Sequence, residues 1–139
     1  LPALLNQLPE SITLSNRSQE RASHLATSMR EHFPQTPVSV ISSDETSDEA
    51  PFDLIIQATS LGHHGQCPTI QKQWLRPETT IYDLNYGPAH QPLRAWCDSN
   101  SVRCIDGSGM LVEQAATAFE LFTGRRPDTG SVHDWIQAR

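Results

Sequence analysis

Lysine is almost missing from this chain: Lys72 is the only one in 139 residues, and acids outnumber bases 16 to 10 for a net charge of −6. That balance argues against a general nucleic-acid binder. Cysteine is scarce. Cys67, Cys97 and Cys104 are odd in number and show no CxxC spacing. They read as reduced thiols of a cytoplasmic protein, not as a disulfide framework or a zinc site. No apolar run approaches membrane-spanning length, and no signal peptide is visible, so no membrane role is expected. No glycine precedes Gly62, and there is no internal repeat or low-complexity tract. The mean hydropathy of −0.45 fits a globular protein with a polar surface. The length suits one domain with a real core. The opening Leu1-Pro2-Ala3-Leu4-Leu5 carries no initiator methionine, so the expectation is a fragment of a longer protein.

What is present alternates between two periodicities. An apolar helix is expected over Leu1–Leu8 with Pro9 as its stop, then a strand over Ile12–Ser15. A helix from about Ser18 to Phe33 would bury Ala22, Leu25, Ala26, Met29 and Phe33. Val38–Ile41 reads as a strand. The stretch Ser42–Glu49 holds four acids; a solvated loop or short acidic helix is the main reading and a cation site the minor one. Leu54–Ala58 reads as a continuous apolar strand of a buried parallel sheet. A polar loop, Thr59–Thr69, follows. Trp74 and Leu75 should cover a core edge. Thr80–Asp83 is a strand, Asn85–His90 a loop, and Pro92 opens a helix holding Leu93, Ala95 and Trp96. Val102–Asp106 is a last strand. Ser131 to Asp134 resembles a capping box before a short final helix. Such alternation predicts an α/β fold: a doubly wound parallel sheet with helices on both faces, Rossmann-like.

The most specific stretch is Asp106–Gly124, DGSGMLVEQAATAFELFTG. A glycine-rich turn runs into a segment free of Gly and Pro. Leu111, Ala115, Ala118, Phe119 and Phe122 recur at helical spacing, and Gly124 is the stop. Two glycines before a helix N-terminus let a ligand approach the backbone, though many such turns bind nothing. The string resembles the D-G-x-G-M-L-V-x-Q-A-A pattern of the shikimate dehydrogenase family. Three further stretches are similar to that family in the same order. Asn16-Arg17-Ser18 with Arg21 matches N-R-[TS]-x-x-R/K. Asp53–Gly62, DLIIQATSLG, matches D-L-[IV]-I-N-A-T-S-x-G, with Gln57 for the usual Asn. Tyr82-Asp83-Leu84-Asn85-Tyr86 matches Y-D-x-x-Y. The likeness covers about Ser11 to Asp128.

The strand end at Asn16 to Arg21 also speaks without the family. After the second strand of a dinucleotide fold, an acid meets the ribose 2′-hydroxyl of NAD, and arginine suits the 2′-phosphate of NADP. Here there is no acid. Arg17 and Arg21 can fork onto phosphate oxygens and Ser18 can cap the next helix. The plain alternative is a solvated strand-helix turn. The resemblance implies more. NADP is the cofactor. Thr59 and Ser60 lie against its nicotinamide half, as do Gly107, Gly109 and Met110, whose turn meets the nicotinamide amide. Tyr86 and Gln114 reach the substrate. Ser108 departs from the usual apolar residue and could tilt the turn. His63 stands where the family usually has Met, and His64 follows it; no metal is expected at this pair. Tyr82 reads as core packing, and Asp83 as a carboxylate that orders the next loop.

The resemblance is to the carboxy-terminal, NADP-binding half alone. Neither a first strand with its G-x-G-x-x-[AG] phosphate loop nor the family's amino-terminal substrate domain, bearing the catalytic Lys and Asp, is found in residues 1–139. Lys72 has neither the motif nor the place to substitute. The implied reaction is interconversion of 3-dehydroshikimate and shikimate, in aromatic amino acid (chorismate pathway) biosynthesis. The chain alone is expected to be inactive, without catalytic residues of its own and completed by its missing amino-terminal domain. A central first strand left out would expose two strand edges, so a stable monomer is not expected, and a homodimer is left open. The rival readings are a quinate or related cyclic hydroxy-acid dehydrogenase, and a non-catalytic dinucleotide-binding module.

Overall fold

The computed structural model describes residues 1–42 and 51–137. All of the acidic stretch but Ser42 therefore lies outside the described residues. The chain divides into two compact units, Leu1–Asp48 and Glu49–Arg139.

The first unit runs α1 (Pro2–Leu5), β1 (Ile12–Ser15), α2 (Gln19–His32) and β2 (Val38–Ile41). Helix α1 is one turn, not the eight residues expected. Leu8 takes a left-handed φ of 51°, which no α-helix accommodates, so the chain leaves the helix before Pro9. Strands β1 and β2 pair in parallel with Ile12 opposite Val38, and the Thr13 and Ser39 hydroxyls meet at 3.0 Å. Helix α2 starts where Ser18 accepts the backbone N–H of Arg21. It buries Ala22 and Ala26. Leu5, Ala26 and Val38 form the core, with Met29 and Phe33 packed on it. Leu25 is exposed, where burial was expected; the buried face of α2 passes through Ala22 and Ala26. Arg30 reaches across to donate from Nε to the Val38 carbonyl at 2.8 Å.

The second unit holds β3 (Leu54–Gln57), β4 (Thr80–Asp83), α3 (Gln91–Asn100), β5 (Arg103–Ile105), α4 (Ser108–Thr123) and α5 (Gly130–Gln137). Its sheet is parallel in the order β3-β4-β5. Ile81 on β4 and Leu93 and Cys97 on α3 make the core, ringed by Ile55, Cys67, Ile70, Leu75 and Trp96 among others. Trp74 is buried edge-on to Phe52, centroids 6.0 Å apart.

The described strands form two parallel sheets, β1-β2 and β3-β4-β5, as expected of a doubly wound sheet without its central first strand. Several other expectations do not hold. β3 is an edge strand, and Leu54 is 47% exposed where full burial was expected. Of the α4 stripe, Leu111, Phe119 and Phe122 are exposed, and Ala116 is the buried residue. No described element covers the other face of that helix. The capping box at Ser131 does not form, because α5 already begins at Gly130. Asp128 accepts the Gly130 N–H at 2.9 Å, and the Thr129 carbonyl accepts from Val132 and His133. Gly124 does end α4, in a left-handed conformation with φ 70°.

Candidate functional site

The carboxyl end of β1 carries Asn16, Arg17, Ser18 and Arg21. Asn16 Oδ1 accepts the Ser18 N–H at 3.3 Å, and Ser18 Oγ accepts the Arg21 N–H at 3.4 Å. Two polar side chains thus shape the turn and cap α2. Both arginines are exposed. Among the described residues, neither guanidinium has an ion-pair partner. A helix N-terminus flanked by two unspent guanidinium forks suits an anion with several oxygens.

In the second unit β3, β4 and β5 run parallel, so their carboxyl ends lie on one side of the sheet. Each end opens a loop, and the loops are tied together. Gln57 is buried, and its longer side chain folds back so that Oε1 accepts the Thr59 N–H at 2.7 Å. The Thr59 carbonyl accepts from Asn85 Nδ2 at 3.2 Å. The Asn85 carbonyl accepts the Gly107 N–H at 2.9 Å. Asn85 therefore joins the loop after β3 to the loop after β5.

Asp83 anchors that link. It is 1% exposed. Its Oδ1 accepts from the Asn85 backbone N–H and from Nδ2, both at 3.0 Å, and its Oδ2 faces His90 Nδ1 at 2.9 Å. His90 is 4% exposed. On the far side of the ring, His90 Nε2 faces the Cys104 thiol, 4.0 Å away. Burial pushes the Cys104 thiol up, as it does Cys67 and Cys97. These are protonated, inert thiols, not nucleophiles.

Two glycines are required by packing. A Cβ on Gly107 would stand 2.3 Å from the Leu84 carbonyl oxygen, and one on Gly62 would stand 1.9 Å from that of Ala89. Gly109 differs: its Cβ would meet nothing closer than His133 Cε1 at 3.8 Å. Ser108 is bonded into the turn. Its N–H and hydroxyl both donate to Asp106 Oδ1, which closes the turn into α4. Thr59, Ser60 and Tyr86 are exposed. Met110 and Gln114 lie on one shallow groove of α4 with Thr117 and Leu121. On the same helix Glu113 accepts from His133, Thr129 and Arg126 at 3.1, 3.0 and 2.7 Å. Those donors, His133 foremost, hold its carboxyl below the ordinary value. Tyr82 is half-buried, in keeping with packing.

Sequence reasoning missed His90 and the bracing role of Asn85. Their partners lie 7 and 26 residues away in other elements, and periodicity within one element does not report such contacts. Gln57 was visible as a departure, and its longer side chain explains how it still reaches the loop.

This arrangement can be set beside known proteins. A family described as the shikimate 5′-dehydrogenase C-terminal domain matches residues 107–134. A shikimate dehydrogenase (NADP(+)) of Xylella fastidiosa is 42% identical over 95% of this chain and 47% of its own length. The chain belongs to the shikimate dehydrogenase family. Its likeness to a shikimate dehydrogenase (NADP(+)) of Marinobacter nauticus is 37% over 99% of this chain and 50% of that protein. A shikimate dehydrogenase solved in complex with NADP+ superposes with a TM-score of 0.70 at 28% identity, over 91% of this chain and 47% of that one. The chain thus spans about half the length of the family members it matches, and its α/β fold with parallel sheets is like about half of such an enzyme.

Proposed function

We propose that residues 1–139 are an incomplete NADP-binding domain of an enzyme that interconverts 3-dehydroshikimate and shikimate, a cytoplasmic oxidoreductase of aromatic amino acid biosynthesis. One observation carries the reading. Three adjacent parallel strands end in loops bearing Thr59 and Ser60, Tyr86, and Gly107 to Met110, and those loops are hydrogen-bonded to one another. Ligands of doubly wound sheets bind at that edge.

The residues present fit the cofactor. Arg17 and Arg21, with Ser18 and Asn16 shaping the turn, suit a 2′-phosphate. Thr59, Ser60, Gly107, Gly109 and Met110 would line the nicotinamide pocket. Gly109 has no packing contact that demands glycine, which supports close approach of a ligand there. Bound NADP(H) supplies the hydride equivalent. The chain's part is to bind and orient, with Tyr86 and Gln114 offering polar groups to the substrate rim. The doubly wound reading needs one more strand and a phosphate loop, and unpaired edges on β1 and β3 are available to it. The proton-handling Lys and Asp would come from the other half of the enzyme. The chain alone is then inactive.

The test is a steady-state assay of the full-length gene product. It should oxidise shikimate with NADP+, prefer NADP+ to NAD+, and prefer shikimate to quinate. Arg17→Ala should erode the NADP+ preference by roughly tenfold or more, the worth of one charge-assisted hydrogen-bonded contact. No NADP-linked oxidation of shikimate by the full-length product would sink the reading. Preference for quinate would move it to a related cyclic hydroxy-acid dehydrogenase. Turnover by residues 1–139 alone would refute the division of labour.

A further inference from the structure

The loops after β3, β4 and β5 do not hold one another through their exposed residues. Thr59 and Ser60 are exposed, Tyr86 is exposed, and Gly109 touches little. Besides the close packing of Gly62 on Ala89 and Gly107 on Leu84, they are linked through one half-buried residue. Asn85 donates to the Thr59 carbonyl, and its own carbonyl accepts from Gly107. Its orientation is set by Asp83 Oδ1, which takes both the Asn85 backbone N–H and the side-chain N–H. The carboxylate is in turn held from behind by His90, at the N-terminus of α3. The line from α3 to the site loops is therefore His90, Asp83, Asn85, then Thr59 on one side and Gly107 on the other. Every member bonds through a defined atom, and the two at its base are buried. The buried, hydrogen-bonded Asp83–His90 pair holds one geometry, because each alternative strands a polar group away from water, and it fixes the Asn85 side chain that reaches Thr59 at the surface.

The geometry points to Asn85, locked by the Asp83–His90 pair, as a positioning residue that sets the spacing of the Thr59 and Gly107 loops on the two sides of the nicotinamide pocket. This rests on the functional reading above and extends it. Asn85 acts through the loops and needs no contact with substrate or cofactor. Its loss should impair alignment for hydride transfer more than cofactor affinity, since the phosphate contacts proposed for Arg17 and Arg21 are made elsewhere. His90 is replaceable in kind. The amide nitrogen of an asparagine takes the place of Nδ1 and can donate to Asp83, whereas alanine cannot.

The experiment uses the full-length gene product with Asn85→Ala, His90→Ala and His90→Asn. Two readouts are taken: amide hydrogen exchange, and kcat with the NADPH dissociation constant. Asn85→Ala should speed exchange at the Gly107 amide and at the Leu61 amide, which donates to the Thr59 hydroxyl at 3.4 Å, at least tenfold while Ile81, in the strand core, keeps its protection. It should lower kcat tenfold or more and leave the NADPH dissociation constant within about threefold. His90→Ala should shift both in the same direction, and His90→Asn should recover most of the loss. Unchanged exchange at Gly107 and Leu61 would overturn the proposal. So would equal losses of kcat and NADPH affinity together with lost protection at Ile81, which mark a merely structural role. Failure of His90→Asn to rescue would remove the Asp83–His90 lock. If the wild-type protein turned over no NADPH, the functional reading would fall and take the catalytic half with it. Exchange at Gly107 would still decide the brace.

Discussion

In Leu1–Asp48 the candidate residues are held by their sequence neighbours; in Glu49–Arg139 they are held by residues far along the chain. Asn16, Ser18 and Arg21 contact one another across two or three positions. The arginine forks stay in water, ready for an anion. Across the second unit, Thr59, Asn85 and Gly107 come from three loops and meet only because three strands pair in register. Under the proposed function, the difference would follow from what each end recognises. A phosphate is a strong, symmetric charge, and flexible arginines find it. A ring that must transfer hydride needs fixed distances, and those come from a braced framework.

That contrast can be broken most forcefully at Asp83. Asp83→Ala leaves buried His90 and Asn85 without their acceptor and should cost about 3 kcal/mol or more. All three tryptophans, Trp74, Trp96 and Trp135, lie in the second unit. Urea unfolding followed by tryptophan fluorescence should therefore show the loss, and a change under 1 kcal/mol would mean the network is not what holds these loops. Gly107→Ala comes next. The new methyl meets the Leu84 carbonyl, a backbone group that cannot swing aside, and overpacking of this kind costs about 1–3 kcal/mol. Gly109→Ala, with open space, is the control and should be close to neutral by the same fluorescence measurement.

On the other side of the comparison the effects are smaller. Ser18→Ala removes one cap and should cost about 1 kcal/mol. It should show in the far-ultraviolet circular dichroism of α2 and leave tryptophan fluorescence unmoved. If fluorescence moved instead, the two regions would not be as independent as their bonding patterns suggest. The smallest effect lies in acid. Glu113 titrates below its ordinary 4.5 because His133, Thr129 and Arg126 donate to it. A depressed carboxylate contributes stability above its unfolded value and loses that contribution as pH falls through the folded one. The link between α4 and α5 should thus weaken as pH falls below about 4.5. A carboxyl titration by NMR with a midpoint at or above that value would contradict it.

How much could be read in advance differs by region for the same reason. The bounds of β1, β2 and β4, the Ser18 cap and the Gly124 stop were legible, because each rests on periodicity or on one residue's conformational preference. The motifs around Arg17, Thr59, Tyr86 and Gly107 were legible as strings, without their geometry. Helix α1 was overdrawn, since apolar residues continue to Leu8 while the backbone has already turned. The α4 stripe was legible as helical spacing, which reports a stripe but not what covers it. Leu121 and Phe122 are 82% and 89% exposed.

The amino acid sequence by itself determined the alternation of strand and helix, the turn chemistry at Asn16–Ser18 and Asp106–Ser108, and the family. Local hydrogen bonds and side-chain periods act over a few residues and leave their mark in the order of the chain. Only the tertiary structure decided that His90 belongs to Asp83, that Gly107 and Gly62 make room for the Leu84 and Ala89 carbonyls, and that Asn85 joins two loops. Those are contacts between segments 7 to 27 residues apart, and they exist because buried polar groups must find partners once the strands have paired.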